Sequence, residues 1–307
     1  MSVAEGADRV TAAAWLGVLR SHQSRVAEAL ALLRPAARGQ IGVEHTSATL
    51  HALLFTGHAE ALAGNGAAAL AAFTHYTAEV ERRQVPRFAG RAVNFAGWVL
   101  RNLGDTEQAL DHHLEALALG GSEGRAELTI AALEDLAELR LDAGDPDGAE
   151  ARLAAAAQLL SGDLVFGWRL AFKHRLLTSR LELLLGDAER AQSTANELAA
   201  AASALGVPRY ASVARLTVQL AGRMLGLPAD PEALEGDLDL LDASAAIEAW
   251  RWTGEVGAAF GSADWLARAE ERVRRLAGRA GDHAGQLRVA ADARLVAWRR
   301  QAGLTSG

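Results

Sequence analysis

The chain has 307 residues, a formal net charge of −7 at pH 7 and no cysteine, so disulfides, thiolate metal sites and cysteine nucleophiles are excluded. Half of the residues are hydrophobic but only 5% are aromatic, so alanine and leucine, both good helix formers, carry most of the burial. The negative charge argues against general affinity for nucleic acid. Glu5, Asp8 and Arg9 precede any apolar run, which does not suit a signal peptide. The uncharged stretch 61–78 is interrupted by Gly64 to Gly66 and is therefore not a membrane span. We expect a soluble, cytoplasmic, all-α protein.

Hydrophobic periodicity predicts helices in consecutive pairs along the chain. Apolar residues recur at three- and four-residue spacing, as in Leu128, Ala132, Leu133, Leu136 and Leu139. The first helices of the pairs are predicted near 11–21, 45–62, 87–103, 125–142, 166–185, 208–225 and 243–258. The second helices are predicted near 25–37, 66–83, 106–118, 147–160, 188–204, 230–241 and 263–279, and a last helix near 284–301.

A short hinge recurs between the two helices of a pair. It combines a glycine with Asn or Asp at Gly64-Asn65, Gly104-Asp105, Gly144-Asp145 and Gly186-Asp187. The glycine takes the left-handed conformation that ends one helix, and the next side chain caps the following helix. Gln108 completes a capping-box pattern after Asp105, and Pro146 suits the first position of a helix.

An alanine stands five residues after each hinge glycine: Ala69, Ala109, Ala149 and Ala191. Ala29 and Ala233 extend this series, and the successive differences are 40, 40, 40, 42 and 42 residues. A small side chain at this position lets the two helices of a pair approach closely. Self-similarity at a fixed period is typical of a solenoid, which grows by stacking repeats.

The sequence resembles the tetratricopeptide repeat family over roughly residues 10–240. Besides the alanine series and the pair Leu16-Gly17, the marks are small residues seven before the hinge glycine and seven after the alanine. These are Gly57, Gly97, Ala137 and Ser179, and then Ala36, Ala116 and Ala156. The family period is 34 residues, so about six more per repeat imply about one further helical turn per pair. HEAT-type repeats share the longer period and are the structural alternative.

The resemblance implies a right-handed α-solenoid of about six or seven antiparallel helix pairs with a C-terminal capping helix. We expect one continuous solenoid, in which residues 1–242 form the repeat array and residues 243–307 form an irregular terminal repeat and capping helices. Segments such as 98–104 and 111–117 also resemble the C-terminal sensor regions of large bacterial transcriptional regulators.

One predicted helix carries a polar stripe that suits partner binding. Arg87, Arg91, Asn94, Trp98 and Arg101 are spaced by four, three, four and three residues, which places them on one face. Arginine binds carboxylates or phosphates bidentately, and tryptophan gives a rigid apolar platform. The alternative is a solvated outer stripe with Trp98 packed against the next repeat.

In the tetratricopeptide family the first helices line a concave groove that receives peptides. By this resemblance, the partner-binding surface comprises the polar stripe together with His51, His58, Lys173 and Arg180, while Glu134 and Glu138 interrupt it with negative charge.

The C-terminal part is rich in arginine. Nine arginines lie between Trp265 and Arg300, against four acids. Such a face could contact nucleic acid, but no helix-turn-helix pattern accompanies it, so the solvated face of a capping helix is favoured.

No catalytic or metal-binding motif is legible. The single lysine, Lys173, lies outside any Gly-Lys-Ser/Thr motif, and the histidines form no His-Glu-x-x-His. Ser122 within 120–124 follows a predicted helix rather than the strand that a nucleophile elbow needs, and segment 142–148 lacks the acids of a calcium loop. We expect no cofactor and no metal.

The leading hypothesis is a non-catalytic scaffold or sensor that binds a protein or peptide in a concave groove, within a bacterial regulatory or signalling system. The alternatives are a solenoid that senses a small ligand for a transcriptional regulator, nucleic-acid contact through the arginine-rich C-terminal helices, and an enzyme with an unrecognised site. The sequence leaves the partner and the oligomeric state open.

Overall fold

A computed structural model describes residues 3–38, 46–122 and 124–304, without the side chains of residues 3–7 and 87. Helices account for nearly all secondary structure in these ranges, and no strand occurs in them. The α-helices are α1 (Val3–His22), α2 (Val26–Ala37), α3 (Thr46–Leu62), α4 (Gly66–Arg82), α5 (Arg91–Asn102), α6 (Thr106–Ser122), α7 (Ala126–Asp142), α8 (Pro146–Leu160), α9 (Gly167–Leu184), α10 (Ala188–Ala204), α11 (Pro208–Met224), α12 (Pro231–Phe260), α13 (Ala263–Ala277) and α14 (Ala284–Gln301). Short 3-10 turns span Pro86–Phe88 and Gly281–His283.

The helices form two layers. Consecutive helices pack as pairs, and the first helices of successive pairs pack against one another, as α1 does with α3, α7 with α5 and α9, and α9 with α11. Most of α7 is buried, whereas α8 buries only Ala149, Leu153 and Ala156. First helices therefore form an inner layer and second helices an outer one, and the expected α-solenoid of helix pairs is confirmed.

The hinges take the predicted conformation. The backbone φ lies between 71° and 86° at Gly64, Gly104, Gly144 and Gly186. Asp105, Asp145 and Asp187 each accept a hydrogen bond from the backbone N–H three residues later. Asn65 does not cap its helix, because its amide instead donates to Glu60 Oε2 at 2.7 Å.

The alanine series holds through five repeats and then fails. Its first five members, Ala29, Ala69, Ala109, Ala149 and Ala191, are fully buried. The prediction for Ala233 is wrong: this residue is exposed, and Leu234 is buried in its place. Asp230 is the N-cap residue of α12 and accepts a hydrogen bond there. In each of these pairs the buried residue lies four positions after the N-cap residue. The longer turn before Asp230 shifts the register by one residue.

Helix α12 joins two helices that were predicted separately. It runs for 30 residues and is interrupted by a non-helical residue, Ala245, with φ −155° and ψ 63°. Its first part packs on α11 and its second part precedes α13, so the kink lets one element serve two pairs. The predicted domain boundary at residue 242 falls just before this kink, and the division itself stays a prediction.

The last repeats return to the first ones. Helix α12 packs against α3 and α5, and the Ala67 N–H donates to the Arg279 carbonyl at 3.0 Å. Gly104 lies against α14 so closely that a Cβ added to it would stand 2.5 Å from the Ala290 Cβ. The concave face is therefore the wall of a partly covered channel rather than an open groove.

No helix within the described ranges is long and apolar enough to cross a membrane.

Candidate functional site

The predicted stripe faces this channel. Asn94, Trp98 and Arg101 on α5 are 3–4% exposed, whereas Arg91 at the end of the stripe is partly exposed. The side chain of Arg87 lies outside the described residues. The stripe is thus neither a solvated outer surface nor a freely open groove. Whether it binds a partner stays a prediction.

Helix α7 supplies the counter-charges of the stripe. It packs between α5 and α9. Arg101 contacts Glu138 at 3.0 Å, and the Asn94 amide donates to Asp135 Oδ2 at 2.7 Å. From the other side, the Lys173 ammonium on α9 donates to Asp135. Burial opposes the charge on Lys173, but the nearby carboxylates outweigh it and raise its pKa.

Asp142 is the centre of the largest ionic cluster. Its carboxylate lies 2.8 Å from Arg101, 3.0 Å from Arg251 and 3.6 Å from Arg180. Arg294 on α14 approaches it to 3.5 Å. Burial opposes the charge of the carboxylate, but the arginines outweigh it and hold the pKa of Asp142 below its ordinary value. Four helices besides α7 thus meet at one side chain.

Trp98 links α5 to the C-terminal repeats across the channel. Its indole N–H donates to Glu248 Oε1 on α12 at 3.0 Å. Arg209 on α11 donates to Glu248 Oε2 at 2.9 Å, and its guanidinium lies 5.3 Å from the Trp98 ring centroid. This contact joins residues 150 positions apart in the sequence.

The two predicted histidines lie at different depths. His51 is half-buried and contacts the Ser47 carbonyl through Nδ1 at 2.8 Å. His58 is buried, contacts the Ser21 hydroxyl at 2.8 Å and stacks on Phe95. Burial, followed by the nearby positive charge of Arg209, lowers the pKa of His58 to about 3, so its ring is neutral at physiological pH.

The channel contains three adjacent spaces. An outer chamber of about 540 Å³ is lined by His51, Phe88, Arg91, Glu127 and Leu164, among others. A neck of about 30 Å³ is lined by His22, Phe55, Arg91, Phe95 and Arg169, among others. An inner chamber of about 80 Å³ is lined by His58, Trp98, Glu134, Lys173, Arg209 and Tyr210, among others. Arg91 lines the first two spaces and Arg169 the last two, so the three lie next to one another in this order.

Arg180 lines none of these three spaces. It lines a separate recess of about 320 Å³ with Trp252 and Glu255, whose carboxylate lies 3.4 Å from its guanidinium. The structure therefore brings His58, Trp98 and Lys173 together in one chamber and places Arg180 elsewhere.

Several residues of the site escaped the sequence analysis. Arg169, Arg209, Tyr210 and Glu248 received no role, and the α7 acids were expected only to interrupt the basic surface. A signal was present, because Asp135 and Asp142 follow Asn94 and Arg101 by 41 residues, one more than the repeat period of 40. A donor in one repeat and an acid near the equivalent position of the next indicate pairing across the inner layer.

The C-terminal arginines face acids of the neighbouring helices. Arg268 contacts Glu235, Arg275 contacts Asp242 and Arg299 contacts Glu270, each at 2.8 Å. Arg272 is buried and donates to the Leu238 carbonyl at 3.2 Å. These pairs reduce the positive field of the capping helices. Among the described residues, no group of three or more His, Asp or Glu side chains is arranged to hold a metal ion.

Comparison with known proteins relates the chain to solved structures alone. No protein-family model and no curated protein matches it. A Rap protein complexed with Competence and Sporulation Factor superposes with a TM-score of 0.61 at 15% identity, over 94% of this chain and 75% of that one. A tetratricopeptide repeat protein from Parabacteroides merdae ATCC 43184 gives a TM-score of 0.39 at 14% identity, over 91% and 98% of the two chains. At this identity the likeness to the Rap protein shows the fold alone, a solenoid of helix pairs.

Proposed function

We propose that this protein is a non-catalytic binding module that receives a peptide, or an extended segment of a partner protein, in its interior channel. The observation that carries the proposal is the series of three adjacent spaces, from the outer chamber through the neck to the inner chamber. The outer chamber has a volume of about 540 Å³, and the neck that follows it has about 30 Å³. These dimensions suit an extended chain that enters end-first.

The chemistry of the walls supports a peptide ligand. Phe55 and Phe95 supply apolar surface at the neck, and Arg91 and Glu127 form an ion pair of 3.1 Å at its entrance. Apolar walls with a few placed polar groups are typical of ligand sites. The Rap protein of similar fold was solved in complex with Competence and Sporulation Factor. We extend ligand binding by this fold to the present channel, and a regulatory or signalling role with it.

The test is affinity selection from a randomised hexapeptide mixture on the immobilised protein, with mass spectrometry of the retained peptides. Ala131 lines both the neck and the inner chamber, so Ala131→Phe blocks the path. Ala151→Phe, on the exposed face of α8, is the matched control. We expect the wild type and A151F to retain the same peptides and A131F to lose them.

Two results would contradict the proposal. The first is that the folded wild type retains no peptide. The second is that A131F, with an unchanged circular dichroism spectrum, retains the same set as the wild type.

A second candidate is a small-molecule sensor. The inner chamber, at about 80 Å³, has the volume of only a few water molecules and could hold a compact metabolite. Native mass spectrometry with a mixture of small metabolites separates the two functions, because a sensor would retain a metabolite and leave the peptide mixture unbound.

A further inference from the structure

Glu134 is a buried carboxylate without a hydrogen-bond partner. Its side chain on α7 is 0% exposed, and neither of its oxygens accepts a hydrogen bond from any described residue. The nearest basic atom is Nδ1 of His174, at 3.9 Å from Oε1. A buried charged group without partners costs several kcal/mol, so native proteins normally avoid it. Burial accordingly raises the pKa of Glu134 well above its ordinary value.

Among the acids of α7, Glu134 alone makes no ion pair with a lysine or arginine of the described residues. Every other acid of α7 contacts at least one cation, as the pairs of Glu127, Asp135, Glu138 and Asp142 show. The lysine and arginine that line the chamber with Glu134 are paired with other acids, Lys173 with Asp135 and Arg169 with Glu127. Basic residues thus surround Glu134 without bonding to it.

Arg169 offers the complementary group, a hydrogen-bond donor. One terminal nitrogen of its guanidinium donates to Glu127 at 2.9 Å, while its buried Nε has no acceptor among the described residues. Arg169 and Glu134 both line the inner chamber. The chamber therefore presents one acceptor that lacks a donor and one donor that lacks an acceptor.

We propose that the inner chamber binds the amino-terminal residue of a peptide, with its ammonium group on the Glu134 carboxylate and its first carbonyl oxygen on Arg169 Nε. This inference rests on the proposed function of the channel as a peptide site. A peptide N-terminus carries a three-donor ammonium group and, on the next carbon, a carbonyl acceptor, so it supplies both the donor for Glu134 and the acceptor for Arg169 Nε. The outer chamber then holds the remainder of the chain.

The charges of the chamber favour an ammonium group over a carboxylate. A ligand carboxylate would place a second negative charge beside Asp135, whereas the cations that could neutralise it are already paired, Arg209 with Glu248 and Lys173 with Asp135. An ammonium beside Glu134 favours the ionised form of its carboxyl group and forms charge-assisted hydrogen bonds with it. A lysine side chain brings the same ammonium but has no adjacent carbonyl for Arg169.

The experiment compares three randomised hexapeptide pools on the immobilised protein: free at both ends, N-acetylated and C-amidated. The proteins are the wild type, Glu134→Gln and the control Glu150→Gln, which alters an exposed acid on α8. We expect the free and C-amidated pools to be retained and the N-acetylated pool to lose about tenfold or more in retention, as for a lost charged hydrogen bond. E134Q should show the same loss for the free pool, and E150Q none.

Each other outcome overturns the inference. Equal retention of the acetylated pool, or undiminished binding by folded E134Q, shows that the N-terminus is not in the chamber. Loss of the C-amidated pool alone places a carboxylate there, and retention of only those acetylated peptides that contain lysine places a side chain there. If no pool binds, the proposed peptide function fails as well. Should E134Q not fold, the three pools on the wild type decide the question by themselves.

Discussion

Asp142→Asn hardly changes the size of the side chain, yet we expect it to lower the free energy of unfolding more than other substitutions of comparable size. The change replaces one oxygen by an amide group and removes the charge that four arginines share. Arg101 and Arg251 lie within 2.8 and 3.0 Å of this carboxylate, and its side chain is only 8% exposed. The variant therefore leaves positive charges buried against one another, and the amide cannot accept from all of them.

The magnitude follows from this burial. Removing one partner of a buried ion pair costs about 3–5 kcal/mol, because the remaining charge stays desolvated. Asn retains one acceptor oxygen, so we expect a loss near the lower limit, about 3 kcal/mol in the free energy of unfolding. At about 2 °C per kcal/mol for a chain of this size, the melting temperature falls by roughly 6 °C.

Urea denaturation followed by far-UV circular dichroism measures the loss, with Asp111→Asn on the exposed face of α6 as the control. The pH dependence gives a second test. Because the pKa of Asp142 in the folded protein lies below its ordinary value of 3.8, its contribution is complete above that pH and is lost as the pH falls further. The difference between wild type and D142N should narrow below about pH 4.

A D142N variant that unfolds within about 1 kcal/mol of D111N at pH 7 would refute this reasoning, since breaking a buried pair costs more than that. It would mean that the arginines relax towards solvent or other acids at little cost.

Three further predictions concern other parts of the channel and its closure. Glu134→Gln should be no more stable than the wild type at pH 4 but more stable by at least about 1 kcal/mol at pH 7.5. The reason is that the pKa of Glu134 is raised in the folded wild type, so the wild type keeps its full stability below the ordinary value of 4.5 and loses stability as the pH rises above it. Thermal melts at both pH values measure this difference. Gly254→Ala should cost about 1–3 kcal/mol, because its Cβ would stand 2.0 Å from the Trp298 ring, whereas Gly236→Ala on the same helix, with open space around it, should stabilise by up to about 1 kcal/mol. Trp98→Ala should cost about 3–5 kcal/mol and accelerate amide hydrogen exchange in the second part of α12 more than in α10.

These three have distinct contradicting results. A pH-independent difference for E134Q would show that the carboxyl group is not desolvated. Equal effects of the two glycine substitutions would disprove the close approach of α14. Uniform acceleration of exchange after Trp98→Ala would show that its contact with α12 does not hold the closure.

The repeat could be read from the sequence because each mark has a local cause. A glycine with positive φ, a capping Asp and a small residue four positions after the N-cap residue depend on neighbouring residues alone. The small residue is correct from Ala29 to Ala191, and the glycine with its capping Asp is correct at Gly104, Gly144 and Gly186. Ala233 fails because the longer turn before α12 changes the offset while leaving the composition similar.

The site could be predicted only in part. Spacing placed Asn94, Trp98 and Arg101 on one face; Asn94 and Trp98 line the inner chamber, whereas Arg101 is buried in the ionic cluster around Asp142. Glu248 and Arg209 could not be assigned, because their contact with Trp98 depends on the accumulated rotation of several repeats rather than on any local pattern. That Glu134 accepts no hydrogen bond from the described residues likewise depends on which cations the neighbouring acids pair with.

The return of the last repeats to the first has a consequence for how such a chain can evolve. An open array tolerates gain or loss of a unit, because each repeat contacts only its neighbours. Here the Ala67–Arg279 hydrogen bond and the packing of α14 on Gly104 require the two ends to meet, so deleting one repeat would leave both contacts without partners. These contacts therefore constrain the number of repeats. The same long-range contacts raise the contact order, so folding is expected to be slower than in an open helical array of equal length.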